Sequence, residues 1–282
     1  MLDLRQHLFY FIAIFLMLGV GMLVGASFYG PAQVRQQQKS LSALRVQVDG
    51  AVQEGRLAKT LLAKHEAALD TLRPALVRGK LTGKRITLIQ TGDYADAVQD
   101  AAAALRDAGA TPAATVTLSD KWAALTPQAR TDDLTRLASA LALGTSDTGR
   151  AQDVQTLENA GLVVITGTLD TPCTAYVLVG GDRQDSGLDD ATQAALITTL
   201  AAQLQGDAGP AAAIVGCEPY AADVSSVPAF QQAQVSTVDC IDRPIGQLAL
   251  PFALRGGPDA GDYGLKATAQ ALLPPSLEQS AP

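Results

Sequence analysis

Histidine is almost missing from this 282-residue sequence, and its two copies, His7 and His65, both precede the stretch that is patterned like a folded domain. A Ser-His-Asp or Cys-His catalytic device inside that domain is thereby excluded. Methionine occurs only at positions 1, 17 and 22, and cysteine only at Cys173, Cys217 and Cys240. Three cysteines without C-x-x-C spacing form neither a disulfide framework nor a zinc signature. Aromatics make up 5% of the chain. Positive charge is scarce where a nucleic-acid surface would need it. Residues 86–282 hold 9 Lys+Arg against 23 Asp+Glu, a net of −14, whereas residues 1–85 hold 12 against 5, a net of +7. The acidic half excludes nucleic acid as a partner, since phosphate contacts require a basic surface. No Gly-x-Gly-x-x-Gly turn and no Gly-Lys-Ser/Thr phosphate loop is present.

Charge is also absent from the whole interval between Arg5 and Arg35. Within it, the apolar run Leu8–Phe28 has 21 residues, and a helix of about 20 residues crosses the hydrocarbon core. A secretory signal has an apolar stretch of about 7–15 residues. The run therefore reads as a retained anchor over residues 8–29, after a short tail at 1–7. Gly25 and Ser27 leave a cleaved signal as the alternative. Gly21-x-x-x-Gly25 has the spacing of a close helix–helix contact in a membrane, or of incidental glycine. From residue 30 to 74 the sequence predicts a stalk. Leu41, Val48, Leu62 and Leu69 recur with Leu44, Ala51, Ala58 and Leu72 at alternating steps of three and four, the seam of a parallel coiled coil. Gly55 and His65 interrupt the seam, and an amphipathic linker packed on its own domain is the alternative. Pro74 is expected to end the helix near Arg73.

Residues 81–275 alternate short apolar strands with helices, leaving 276–282 as a flexible tail. Strands are expected at KRITLIQ, ATVTL, AYVLVGG, AAAIVG and VSTVD. Helices are expected from Ala95 to Gly109, from a Thr126-Pro127 start to about Leu143, over the Ala-rich stretch ended by Gly206, and from Asp242-Arg-Pro244 to about Arg255. The fold class is an N-terminal transmembrane helix, a coiled-coil stalk and a doubly wound α/β domain with a mostly parallel sheet. Ligands of such sheets sit beyond the strands' carboxyl ends. Here those ends are Thr91-Gly92-Asp93, Gly180-Gly181-Asp182-Arg183, Cys217-Glu218 and Asp239-Cys240-Ile241-Asp242. Their carboxylates repel phosphate. Asp239 and Asp242 read as an acid/base pair or, for Asp242, as a helix cap. Cys217 and Cys240 follow successive strands and read as a disulfide, a soft-metal site or two ordinary buried thiols.

The two ends of the chain carry a resemblance. Arg5-x-His7 leads into Ala13-x-Phe15-Leu16-x-Leu18-Gly19, and Gly261, Tyr263 and Gly264 precede Leu273-Pro274. These segments resemble the opening and closing motifs of the actinobacterial copper transport protein B family, of MctB type. The resemblance implies an envelope protein with its C-terminal domain outside the cytoplasm, a link to copper efflux or a channel, and partnership with envelope or division proteins. The residues themselves pull against parts of this. Copper(I) favours Cys and Met sulfur, and no methionine lies in the domain. The downstream basic residues Arg35, Lys39 and Arg45 favour a cytoplasmic domain by loop charge, a rule that weakens for long domains. The resulting expectation is a single-pass cell-membrane protein with an extracytoplasmic domain. It is dimeric through its stalk, non-enzymatic and without a cofactor, copper entering by resemblance only. Its partners are the bilayer, a second copy and an envelope protein. A copper-transport component is the alternative, and an enzyme with a borrowed or lost active site the third class.

Overall fold

The computed structural model describes residues 4–184, 188–209 and 212–278; side chains of residues 4, 5, 26–40 and 43 are outside this description. The chain falls into two compact units, Met1–Lys64 and His65–Pro282. Helix α1, Leu4–Val77, contributes to both. In the first unit, Gln6–Gly25 is long and apolar enough to cross a membrane, with a mean hydropathy of 2.5 and none of its surface covered. The remainder of α1 in this unit exposes Leu41, Leu44, Val48 and Leu62. The stalk is thus observed as a helix, and the described chain supplies no second helix to make it a coiled coil. One expectation is corrected: α1 passes through Pro74 and ends at Val77. A proline this near the end frees only one carbonyl in the terminal turns, and Val77 is fully buried in the second unit.

The second unit follows the predicted alternation. Its elements are β1 (Arg85–Gln90), α2 (Ala95–Asp107), β2 (Thr111–Leu118), α3 (Pro127–Leu143), α4 (Thr148–Asn159), β3 (Val163–Gly167), β4 (Ala175–Val179), α5 (Asp190–Asp207), β5 (Ala213–Cys217), α6 (Val227–Gln232), β6 (Ser236–Val238), α7 (Pro244–Ala253), β7 (Asp262–Tyr263) and α8 (Pro275–Glu278). The seven strands form one mixed sheet in the order β3-β2-β1-β4-β5-β6-β7. All neighbours pair parallel except β3, which runs antiparallel to β2. Alternation along the strands divides the core. Ile86, Leu88, Val177, Val179, Val215 and Val238 pack with α2 and α7 on one face. Ile89, Val116, Tyr176, Leu178 and Ile214 pack with α3, α5 and Trp122 on the other. Small side chains let α2 lie close to the sheet, with Ala97, Ala101, Ala104 and Ala108 buried along one stripe.

Local signals held at several termini. Thr126 caps α3, its hydroxyl accepting from the Ala129 N–H at 3.3 Å, with Pro127 in the first turn. Asp189 caps α5 through the Thr192 N–H at 2.9 Å, and these bonds pull its carboxyl below the ordinary range. Asp242 is a correction. Arg243 holds the cap position of α7 without a side-chain bond, and the Asp242 carboxylate instead accepts from the Tyr220 N–H at 2.6 Å. Pro244 supplies a fixed φ and no N–H at the helix start, which makes a capping acceptor dispensable there. Of the expected tail, residues 276–278 lie in α8, and Ser276 bonds Asp259 through its N–H and hydroxyl at 3.0 and 2.5 Å; residues 279–282 fall outside the described part.

Candidate functional site

The strand order reverses between β1 and β4, and the crevice beyond their carboxyl ends is where an open α/β sheet takes its ligand. Here the chain fills that place itself. Thr91 and Gly92 both donate their N–H groups to the Val179 carbonyl, at 2.8 and 3.2 Å. Asp93 N–H donates to the buried Asp182 carboxylate at 3.0 Å, and the Asp93 carboxylate accepts the Arg183 N–H at 3.2 Å. The Arg183 guanidinium lies 4.6 Å from the Tyr94 ring centroid. Any side chain at position 92 would place a carbon 2.1 Å from the Gly181 carbonyl, so the β1 and β4 loops touch backbone to backbone. Partial burial holds the Tyr94 phenol above its ordinary range, against the backbone hydrogen bond at Asp223, which lowers it.

A second cluster stands past β5 and β6. Glu218 is fully buried. Its carboxylate accepts the Ser226 N–H at 2.6 Å, the Ser225 hydroxyl at 2.7 Å and the Lys266 ammonium. Asp239, 1% exposed, accepts the N–H groups of Leu265 at 2.7 Å and Lys266 at 3.0 Å. These contacts require glycine at position 264. Its φ is +142°, and an added Cβ would fall 1.8 Å from the Asp239 carboxylate. The Tyr263 phenol donates to the Asp259 carbonyl at 3.0 Å. The Gly261-x-Tyr263-Gly264 motif is therefore a clasp: it adds β7, grips Asp239 and delivers Lys266 to Glu218. Asp239 and Asp242 do not act as a free pair, because each is engaged by backbone donors on a different loop. Lys266, 48 positions from Glu218, carried no sequence signal; only Gly264 hinted at a close approach.

Cys217 and Cys240 follow neighbouring strands, with Cys217 opposite Val238 in the register. Both are buried and free, as is Cys173. Burial, then the Glu218 charge, holds the Cys217 thiol far above the usual range. Burial, then the charges of Asp239 and Asp242, pushes Cys240 up to about 12. Metal ligation uses the thiolate, the form these surroundings oppose. Among the described residues no group of three or more His, Cys, Asp and Glu side chains is arranged to hold a metal ion. Gly21 and Gly25 have no atom near the position of a missing Cβ, so this chain leaves their helix face open. Of the seam residues, Leu41, Leu44, Val48, Leu62 and Leu72 are exposed and Leu69 is half-buried. His65 is exposed. Near the seam's end, Glu66 pairs with Arg243 at 2.8 Å and Arg73 with Asp107 at 3.0 Å, both within the second unit.

Among the described residues one membrane-length apolar helix, followed by an α/β unit whose strand ends are bridged by its own chain, defines the class: a membrane-associated α/β protein. The family model described as "Copper transport outer membrane protein, MctB" matches residues 1–136 and 123–274, nearly the full length, and the chain belongs to that family. Comparison with curated proteins gives no match.

Proposed function

We propose that this chain is a single-span membrane protein in a copper-transport-related system, and that its α/β unit is a non-enzymatic binding module. The observation that carries this reading is the closed carboxyl edge of the sheet. Asp93, Asp182, Glu218 and Asp239, the groups with chemistry at that edge, are spent on backbone N–H groups and on Lys266. A module that has consumed its polar crevice internally presents outer surfaces to partners. The family description motivates copper as cargo. The residues of the unit favour an indirect role, since its sulfur is held as buried thiol.

The same reading includes a parallel dimer through the stalk. Leu41, Leu44, Val48 and Leu62 are each more than half exposed, and a second copy in register covers them. In that register Glu54 and Lys59 occupy flanking positions of successive heptads, where opposite charges meet across a parallel pair. The α/β unit is placed outside the cytoplasm. Its length weakens the loop-charge rule, and the basic residues after the span suit anionic headgroups. An envelope or division protein is the partner.

The test is a cuprous titration of the detergent-solubilised full chain against a competing chelator. The expected result is no stoichiometric tight site. A tight site that disappears in Cys217→Ser/Cys240→Ser would overturn the module reading and favour the second one, direct copper handling, which rests on the family description. Protease treatment of spheroplasts, followed by detection of the C-terminal tail, tests the placement; full protection until lysis puts the unit in the cytoplasm.

A further inference from the structure

Helix α1 ends inside the second unit, which begins at His65. One side of its last turns holds the α/β fold. Glu66 pairs with Arg243 at 2.8 Å, Arg73 pairs with Asp107 at 3.0 Å, and Val77 is fully buried. Steps of seven and four keep these three residues on one face of the helix. A different face is left open over about three turns. His65, Ala68 and Ala75 are exposed and Leu69 is half-buried, while Leu72 is 55% and Leu76 44% exposed. The strip carries no carboxylate, ammonium or guanidinium. Counted in heptads from Leu41, Leu69 and Leu76 continue the first set of seam positions, and His65 and Leu72 the second. The stalk's pattern therefore runs on in phase, through the turns that hold the α/β fold and beyond Pro74.

In a parallel two-stranded pair, the residue before each first-set position faces the partner's residue after a second-set position. Here the former are Ala68 and Ala75, and the latter are Glu66 and Arg73. Glu66 and Arg73 are also where each copy holds its own α/β fold. A parallel partner therefore brings its α/β fold up against this strip of alanines, whose small side chains leave room that a long or charged residue would fill. We infer that the dimer is not confined to the stalk. The open strip of α1 in the second unit is an interface, occupied by the same strip of a second copy, parallel and in register. Leu69, Leu72 and Leu76 meet their equivalents, and Ala68 of each copy is seated beside the Arg73–Asp107 pair of the other. The inference rests on the stalk-dimer reading and carries its contact into the α/β unit. A second copy is the occupant because the strip repeats the stalk's own heptad phase. A contact about a two-fold axis sets equivalent side chains near one another, and a strip without acidic or strongly basic side chains allows that without like-charge repulsion.

The test is a disulfide scan of the detergent-solubilised full chain under mild oxidation. The three native thiols are buried, so the parent should not cross-link. Leu72→Cys should cross-link to its equivalent in a second copy. Ala67→Cys, exposed on the side of the helix away from the strip, should not. In sedimentation, Ala68→Arg should weaken the dimer by about tenfold or more, because the new guanidinium meets the partner's Arg73 with like charge. Trp122, fully buried in the α/β unit, reports through its fluorescence that the fold is intact in each variant. A dimeric parent in which Leu72→Cys stays uncross-linked, or in which Ala68→Arg dimerises as tightly as the parent, overturns the inference and leaves the stalk dimer standing. Equal cross-linking at positions 67 and 72 overturns it as well, since the strip is then not the contact. A parent that is already monomeric removes the stalk dimer and this interface with it.

Discussion

Replacing Lys266 by methionine takes the ammonium away from a carboxylate that has no access to water. Glu218 is fully buried, while the Lys266 side chain is 18% exposed. Breaking a buried pair by removing one partner costs about 3–5 kcal/mol, because the other charge is stranded. Glu218 keeps the Ser226 N–H and the Ser225 hydroxyl, so the lower end applies, about 3 kcal/mol. For a unit of this size that lowers Tm by about 6–12 °C. Glu218→Gln removes the charge from the other side. It leaves the Ser226 N–H an acceptor and strands an ammonium that still reaches the Pro219 carbonyl at 3.3 Å and water, at a cost of about 1–3 kcal/mol. The double variant Glu218→Gln/Lys266→Met buries no charge, so its cost should fall short of the summed single costs by about 2 kcal/mol. The assay is urea and thermal unfolding of the detergent-solubilised full chain followed by fluorescence of Trp122, the sole tryptophan, which is fully buried in the α/β unit. Strictly additive single variants, or a Lys266→Met within about 0.5 kcal/mol of the parent, would refute the reasoning that this ion pair closes the strand edge.

Four further outcomes are expected. Cys240, with its thiol at about 12, should react with a thiol reagent at neutral pH far more slowly than an exposed cysteine, by about a thousandfold from thiolate fraction alone, and all three thiols should react rapidly in denaturant; fast native labelling would sink the buried-thiol reading. Gly264→Ala should destabilise by more than about 2 kcal/mol, since its Cβ meets the Asp239 carboxylate that the clasp depends on, as read by the same unfolding curves. Leu44→Asp with Leu62→Asp should convert a detergent-solubilised dimer to a monomer in sedimentation, leaving Trp122 fluorescence unchanged; a parent chain that is already monomeric removes the stalk dimer. Partial burial, then the charges of Asp242 and Asp96, raises the Asp100 carboxyl, so the folded unit binds its proton more tightly than the unfolded chain does. Its ionisation therefore disfavours the fold as pH rises from the ordinary carboxylate value through the raised one. Asp100→Asn should raise Tm at neutral pH, with the gain fading as the pH falls below the ordinary carboxylate value.

The sequence made visible those elements whose signal is local. Three central parallel strands, β1, β4 and β5, are buried on both faces and appear as short runs that are mostly apolar; α2, α3, α5 and α7 start or stop at recognisable caps, prolines or glycines. What stayed hidden depends on distant partners. Helix α4 buries only Leu157, so it has no apolar stripe to find. Strand β3 was written in plain β-branched residues, VVITG, but its antiparallel direction follows from two helices inserted before it and not from its own pattern. Helix α6 and strand β7 are shorter than any periodicity can reveal. At the strand edge, the acidic residues were legible as a group. Their occupation by Lys266 and by the Leu265 and Lys266 N–H groups was not, because these donors lie 26 to 48 positions away.

The clasp also imposes an order in time. A chain made from its N-terminus exposes Glu218 and Asp239 before residues 261–266 exist, so the two carboxylates lack their Leu265 and Lys266 partners until that segment has been synthesised. The sheet can collapse earlier, but its last strand and its buried ion pair close only when the C-terminal segment arrives. A nascent chain is thereby kept loose at one edge until that segment emerges, a property that suits a polypeptide still being inserted into a bilayer. Truncation before Gly261, which removes the clasp, should leave a product that expresses yet never locks.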